Sequence, residues 1–243
     1  LAPLIAADLR LNNGPNESTA LPPSRFDMLD PDTKNETILM LKRLVAQPLP
    51  SDRRDRVELL GVGFEWPNAP MIHGFDHTLG YNPLRLLDVS DATGARDYIA
   101  GPDQRVFSPL FPSYRSLMAD MLGLRYIVSS VHIGKVDPDL KPGDLRFLAR
   151  TRDGYVYENP RALPRVLFAV NWMAADFDTL IEQGQWPDFD PRHTVLLEAE
   201  AGVEPPPPHK AGECPRAMAR LTHYENTVIE VDADSMCGGY VVL

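Results

Sequence analysis

Between Phe64 and Pro83 the chain sets His73 and His77, Glu65 and Asp76, and the rings of Trp66 and Tyr81 among glycines and prolines. Such loop-like stretches carry sites when a rigid scaffold holds them. His73, Asp76 and His77 offer imidazole and carboxylate donors suited to zinc or a similar ion. Gly74 and its turn-forming neighbours oppose a helix there, so nothing local obliges the two imidazoles to share a face. Trp66, Tyr81 and Asn82 instead suit carbohydrate, because an aromatic face stacks on the apolar face of a sugar while an amide supplies both donor and acceptor. Plain packing uses the same residues. Trp66, His73, Asp76, His77, Tyr81 and Asn82 form the candidate ligand-binding set, with no catalytic residue and no metal ligand assigned.

Other catalytic patterns are weaker. There is no Gly-x-Ser-x-Gly elbow, and Ser113 and Ser116 fall on a predicted helix face. No Gly-x-x-x-x-Gly-Lys phosphate loop occurs, and the sequence calls for no cofactor. Asp188 and Asp190 could pass for paired catalytic carboxylates, but a turn bounded by Pro187 and Pro191 is better read as using them for capping and solvation.

The elements that must position these residues can be read from periodicity. Ile38, Leu41, Leu44 and Val45 predict a helix over 37–47, stopped by Pro48 and Pro50. Further helices are expected at 83–88, at 113–122 with Gly123 as its cap, and at 174–183. Strands are expected at 56–60, 124–129, 146–150, 155–158, 165–170 and 194–198. After the polyproline run Pro205 to Pro208, the stretches 217–221, 227–231 and 240–243 alternate like a small antiparallel sheet. The expected fold is α/β (α+β): a main body over 1–192 with a mixed sheet flanked by helices, then a small β-rich portion over 193–243.

A chain of 243 residues with 34 acidic and 24 basic side chains, net charge -10, argues against nucleic acid as a partner, since a phosphate backbone needs a basic face. The apolar run Leu1 to Ala7 reads either as the stub of a membrane helix or signal segment, or as a buried N-terminal strand or helix. Gly239 to Leu243 ends within a strand pattern, as a fragment would. Cys214 and Cys237 match no zinc spacing; they are either a bridge in an exported protein or two unrelated thiols in a reducing compartment. Bridged, they would contribute about 3.4 kcal/mol on the chain-entropy estimate.

Five blocks in register carry a resemblance. Asn12 to Asn16, Gly80 to Leu84, Leu122 to Val128, Tyr157 to Arg165, and Tyr224 to Val228 followed by Gly239 to Leu243 resemble the extracytoplasmic part of bacterial YfhO-type membrane proteins. That family is similar to C-type glycosyltransferases, which use a polyprenyl-phosphate-linked sugar to decorate cell-envelope polymers. The resemblance implies a periplasmic or outer-face domain tethered to the cytoplasmic membrane. Its implied partners are the membrane-embedded part of the same polypeptide and an envelope glycan or polyprenyl-linked sugar. The family's catalytic acidic residue is expected between early membrane helices, outside these residues, so none is carried over. Within the fourth block, Glu158, Arg161 and Arg165 look chemically active, but Asn159-Pro160 and Leu163-Pro164 force a turn that those charges are expected to pin. Two alternatives stand beside this reading: a soluble metal-dependent hydrolase built on His73, Asp76 and His77, and a glycan-binding module.

Overall fold

The computed structural model describes residues 2–12, 22–63, 65–79, 86–95, 101–198, 214 and 216–243. In chain order the helices are α1 (Ala2–Asn12), α2 (Glu36–Val45), α3 (Ala69–His73), α4 (Leu87–Thr93), α5 (Leu117–Met121) and α6 (Phe177–Gln183). The strands are β1 (Arg56–Leu60), β2 (Asp76–His77), β3 (Leu124–Ser129), β4 (Arg146–Arg150), β5 (Tyr155–Glu158), β6 (Leu167–Ala169), β7 (Asn171–Ala175), β8 (Thr194–Glu198), β9 (Ala217–Tyr224), β10 (Ile229–Ser235) and β11 (Tyr240–Val242).

Five strands form a mixed sheet in the order β2-β1-β3-β5-β4. β1 pairs in parallel with β2 and β3, while β5 runs antiparallel to β3 and β4. The two-residue period of a strand sends alternate side chains to opposite faces. Val57 and Leu59 of β1, with Tyr126 and Val128 of β3, face a core completed by Ile38, Leu41 and Trp66. Leu60 and Ile127 face a second core with Phe111, Tyr114 and Tyr157. Because both faces are covered, β1 and β3 are almost continuously buried, Glu58 included, as befits central strands. The α+β class read from the sequence is the class observed, with the mixed sheet in the main body and smaller strand pairs towards the C-terminus.

Side-chain chemistry sets several boundaries. Asn35 caps α2, its Oδ1 accepting from the Ile38 amide at 3.1 Å. α2 stops at Val45, two residues earlier than the periodicity predicts: Ala46 is already extended and Pro48 keeps Gln47 out of the helical region. The expected helix over 113–122 shrinks to α5. The Asp137 carboxylate accepts from Ser113 Oγ at 2.7 Å and from the Tyr114 amide at 2.8 Å, holding the first turn away. Gly123, at φ +62, follows α5 as a left-handed stop. The helix expected over 83–88 is displaced: α4 begins at Leu87, after an extended Leu86, and runs to Thr93, sharing only Leu87 and Asp88 with it, and residues 83–85 lie outside the described residues.

The helix expected over 174–183 is divided. Residues 171–175 form β7, Asp176 accepts from the Thr179 amide at 3.1 Å as an N-cap, and only then does α6 begin. Ala174 and Ala175 are good helix formers, but parallel pairing with Leu197 and Glu198 overrides that preference. β9 and β10 form a hairpin, while β11 leaves it and pairs antiparallel with β6. The three C-terminal strands therefore do not make one sheet. Backbone hydrogen bonds cross residue 192 at β7–β8, at β6–β11, and at a bridge between Ser51 and Leu221. Residues 3–8 of α1 are exposed, unlike a buried N-terminal element. No helix among the described residues is long and apolar enough to cross a membrane.

Candidate functional site

Each candidate residue has a defined place except two. Tyr81 and Asn82 lie outside the described residues. Trp66, 2% exposed, packs in the core beside Ile38 and Val57, so its ring faces apolar side chains and is closed to a sugar. His77 stitches β2 to its neighbour: its Nε2 lies 3.0 Å from the Leu59 amide and its Nδ1 2.9 Å from the Leu79 amide. A neutral imidazole has one accepting nitrogen, so the ring serves one of these amides at a time and offers its lone pair inward to the backbone.

His73 is different. Its Nε2 is 2.6 Å from the Met28 carbonyl oxygen, which can only accept, so Nε2 carries the proton and Nδ1 the lone pair. That Nδ1 is buried and has no hydrogen-bond partner among the described residues. A buried acceptor without a donor costs roughly 1–3 kcal/mol, which a ligand donor could recover. Asp76 receives both Nε and Nη2 of Arg54, at 2.9 and 3.1 Å, and the Tyr224 hydroxyl donates to it at 3.2 Å.

These contacts place His73 on the wall of a cleft of about 300 Å³. Its other walls are the C-terminal end of α2 with Lys42 and Gln47, the entry to β1 with Arg53 and Arg54, the end of α3 with Phe75, and Tyr224 at the end of β9. Local structure explains the assembly. Gly74, at φ +71, ends α3 in the left-handed region, and its N–H returns to the Pro70 carbonyl, which turns Phe75 towards the cleft. The Arg54 guanidinium lies 4.0 Å from the centroid of the Tyr224 ring, a cation–π contact that ties the hairpin to the main body. Arg165 donates to the same hydroxyl at 3.2 Å.

Charge in the cleft is partly balanced. Arg53 pairs with Asp55 at 2.6 Å and Arg54 with Asp76, whereas among the described residues Lys42 Nζ reaches only the Pro31 carbonyl at 3.4 Å. The cleft therefore offers cationic and amide donors, one unserved imidazole acceptor and the Tyr224 ring, while Phe75, 6% exposed, belongs to the core that floors it. This set suits binding of a hydroxylated, acceptor-rich ligand; it contains no nucleophile paired with a base. His73, Asp76 and His77 do not converge as ligands, and no group of three His, Cys, Asp or Glu side chains able to hold a metal occurs among the described residues.

The sequence reading missed Lys42, Arg53, Arg54 and Tyr224. A signal existed in the alternating charges of Asp52-Arg53-Arg54-Asp55 just before a strong strand, but nothing local linked it to Tyr224.

Two other charged groups look reactive and are structural. Glu58 and Arg105 form a fully buried pair at 2.8 Å, joined by the Tyr114 and Thr78 hydroxyls and faced by the rings of Phe107 and Phe111. Burial opposes the Arg105 charge, yet Glu58 beside it holds the guanidinium above its ordinary value. Burial, and then Glu58, push the Tyr114 hydroxyl well above its ordinary value. Two of the three charges expected to pin the turn after β5, Glu158 and Arg161, form ion pairs there, whereas Arg165 reaches Tyr224 of β9 instead. Glu158 pairs with Arg125 at 2.7 Å and with Arg146, and Arg161 pairs with Asp120 at 3.3 Å.

No family model matches the chain, and no curated protein or solved structure matches it.

Proposed function

We propose that this chain is an extracytoplasmic domain of a multi-span, YfhO-type membrane protein, and that it positions an envelope glycan through the cleft of His73, Lys42, Arg53, Arg54, Phe75 and Tyr224. The observation that carries the reading is the cleft's mixed character: cationic donors and an unserved buried acceptor at His73 Nδ1 at one concave point. A sugar hydroxyl both donates and accepts, so it can serve His73 and the cations together, which a purely accepting group cannot. A bridge between Cys214 and Cys237, Cα atoms 5.8 Å apart, supports an oxidising compartment. In this reading the glycan transfer itself belongs to the membrane-embedded part of the same polypeptide.

Calorimetric titration of the chain with a neutral and a carboxylated hexose oligomer tests the binding. At least one should saturate the chain, and the double variant Lys42→Ala/Gln47→Ala should bind about tenfold more weakly with an unchanged melting temperature. Absence of binding by both oligomers, or native affinity in the double variant, would overturn the cleft assignment. The membrane context is tested separately by the reading frame around the chain, which must encode several apolar segments of about 20 residues.

A further inference from the structure

A second recess is chemically unlike the cleft. A cavity of about 320 Å³ lies where β6, β8 and β11 meet the entry to β3, with walls that include Leu163, Leu167, Val195 and Leu196. A neighbouring cavity of about 310 Å³ lies between α4, α5 and α6, with walls that include Val89, Leu110, Met118 and Ile181. Leu122, Phe177 and Trp186 line both, so these three side chains are the wall that the two cavities share.

Charge is distributed unevenly along this recess. The first cavity is lined by Arg56 and Arg165 and by no Asp or Glu among the described residues, in a chain with ten more acidic than basic side chains. The second carries Asp88 and Asp178 at its margin. Arg56 Nη1 donates to the Leu122 carbonyl and Arg165 Nη2 to the Tyr224 hydroxyl at 3.2 Å, so among the described residues neither guanidinium pairs directly with a carboxylate, and Arg165 meets Asp76 only through that hydroxyl. Arg165 Nε is buried with no hydrogen-bond partner among the described residues. An uncompensated buried donor on an otherwise apolar wall is costly, and an anionic acceptor would relieve it.

The recess is also held open by packing. The Trp186 indole N–H donates to the Leu110 carbonyl at 3.3 Å, which fixes the ring in that shared wall. Gly184, at φ +65, ends α6 so close to Pro109 that an added Cβ would lie 2.4 Å from the Pro109 Cβ. That contact admits only glycine and sets where α6 stops.

We propose that the recess binds a single-chain amphiphile. Its anionic head, a carboxylate or a phosphate, sits at Arg56 and Arg165, and its apolar tail runs past Leu122 and Trp186 into the space between α4, α5 and α6. The two arginines at one end and the acids at the other set the direction in which the molecule lies. Each cavity falls near the lower bound of small-molecule sites, of order 300 Å³, and both are lined mainly by apolar side chains, as an alkyl chain requires.

Calorimetry with dodecanoate, dodecyl phosphate, dodecanol and inorganic phosphate, each below its micelle threshold, decides the matter. Both anionic amphiphiles should bind at one per chain. Dodecanol should bind at least about tenfold more weakly, and inorganic phosphate should not bind. Arg165→Gln and, separately, Arg56→Gln should remove the preference for the anionic amphiphiles over dodecanol, whichever of the two variants folds best. Val89→Trp, which fills the tail space, should weaken dodecanoate more than octanoate. Equal affinity for dodecanol and dodecanoate, binding without saturation, or native affinity in both arginine variants would overturn the proposal. If the hexose oligomers bind while the amphiphiles do not, the cleft assignment survives and this one fails.

Discussion

The five-stranded sheet and the strand pairs of the C-terminal half are made of similar residues yet reach different degrees of burial. Val57 to Leu60 of β1 are all buried, whereas all five residues of β8 are only half-buried. The cause is coverage. β1 has a strand on each side and a core on each face, while β8 pairs with β7 alone. Covered strands exclude water and can hold a buried ion pair; two-stranded units leave apolar surface unfilled, and there the recess of Arg56 and Arg165 opens. The Cys214–Cys237 bridge braces the second region, closing the hairpin that the strands alone would leave weak. Burial is concentrated in the five-stranded sheet, while concave surface occurs both against it, at the cleft of His73, and beside the two-stranded units.

The sharpest way to break this contrast is at Glu58. Glu58→Ala leaves the Arg105 charge buried without a partner and should cost roughly 3–5 kcal/mol in denaturant unfolding. A midpoint shift no larger than that of a surface substitution would mean that the pair does not brace the sheet. A smaller effect comes from truncating one leucine in each region. Leu60→Ala, in a fully buried site, should cost about 3 kcal/mol, and Leu196→Ala, half-buried, about 1 kcal/mol. Equal losses would erase the distinction.

The smallest effect is electrostatic and belongs to the turn before β8. The Arg192 amide, and then the His193 side chain, hold the Asp190 carboxyl below its ordinary range. Folding thus favours the ionised form. Its contribution is fully present above the ordinary carboxylate range and is lost as pH falls through the lowered native value. Asp190→Asn should flatten that acid limb of the stability curve while leaving neutral-pH stability lower than native; superimposable acid limbs would show that the turn does not depend on the charge.

Much of the frame is legible in the chain itself. β1, β3, β4, β5 and β8 occupy the residues that alternation and β-branching predict, because each is a local pattern bounded by turn formers. The misses have local causes with distant partners. Asp137 shortens the helix before α5, and pairing with β8 turns Ala174 and Ala175 into strand. Trp66 sits among polar loop residues in sequence and inside the core in space, since the short helical turn carrying it folds beneath α2. Of the candidate set, His73 lines the cleft and Asp76 supports it through Arg54 and Tyr224, while His77 is taken up by backbone amides.

Composition and periodicity by themselves determined the α+β class and the positions of the principal strands. These follow from short-range sterics, which need no knowledge of which segments meet. Tertiary structure alone decided that β11 pairs with β6, that Tyr224 closes a cleft against Arg54 and His73, and that Arg56 and Arg165 share an apolar wall that no Asp or Glu among the described residues lines. Those arrangements depend on contacts between residues far apart in the chain, where solvent exclusion and shape complementarity rather than local conformational preference select the partner.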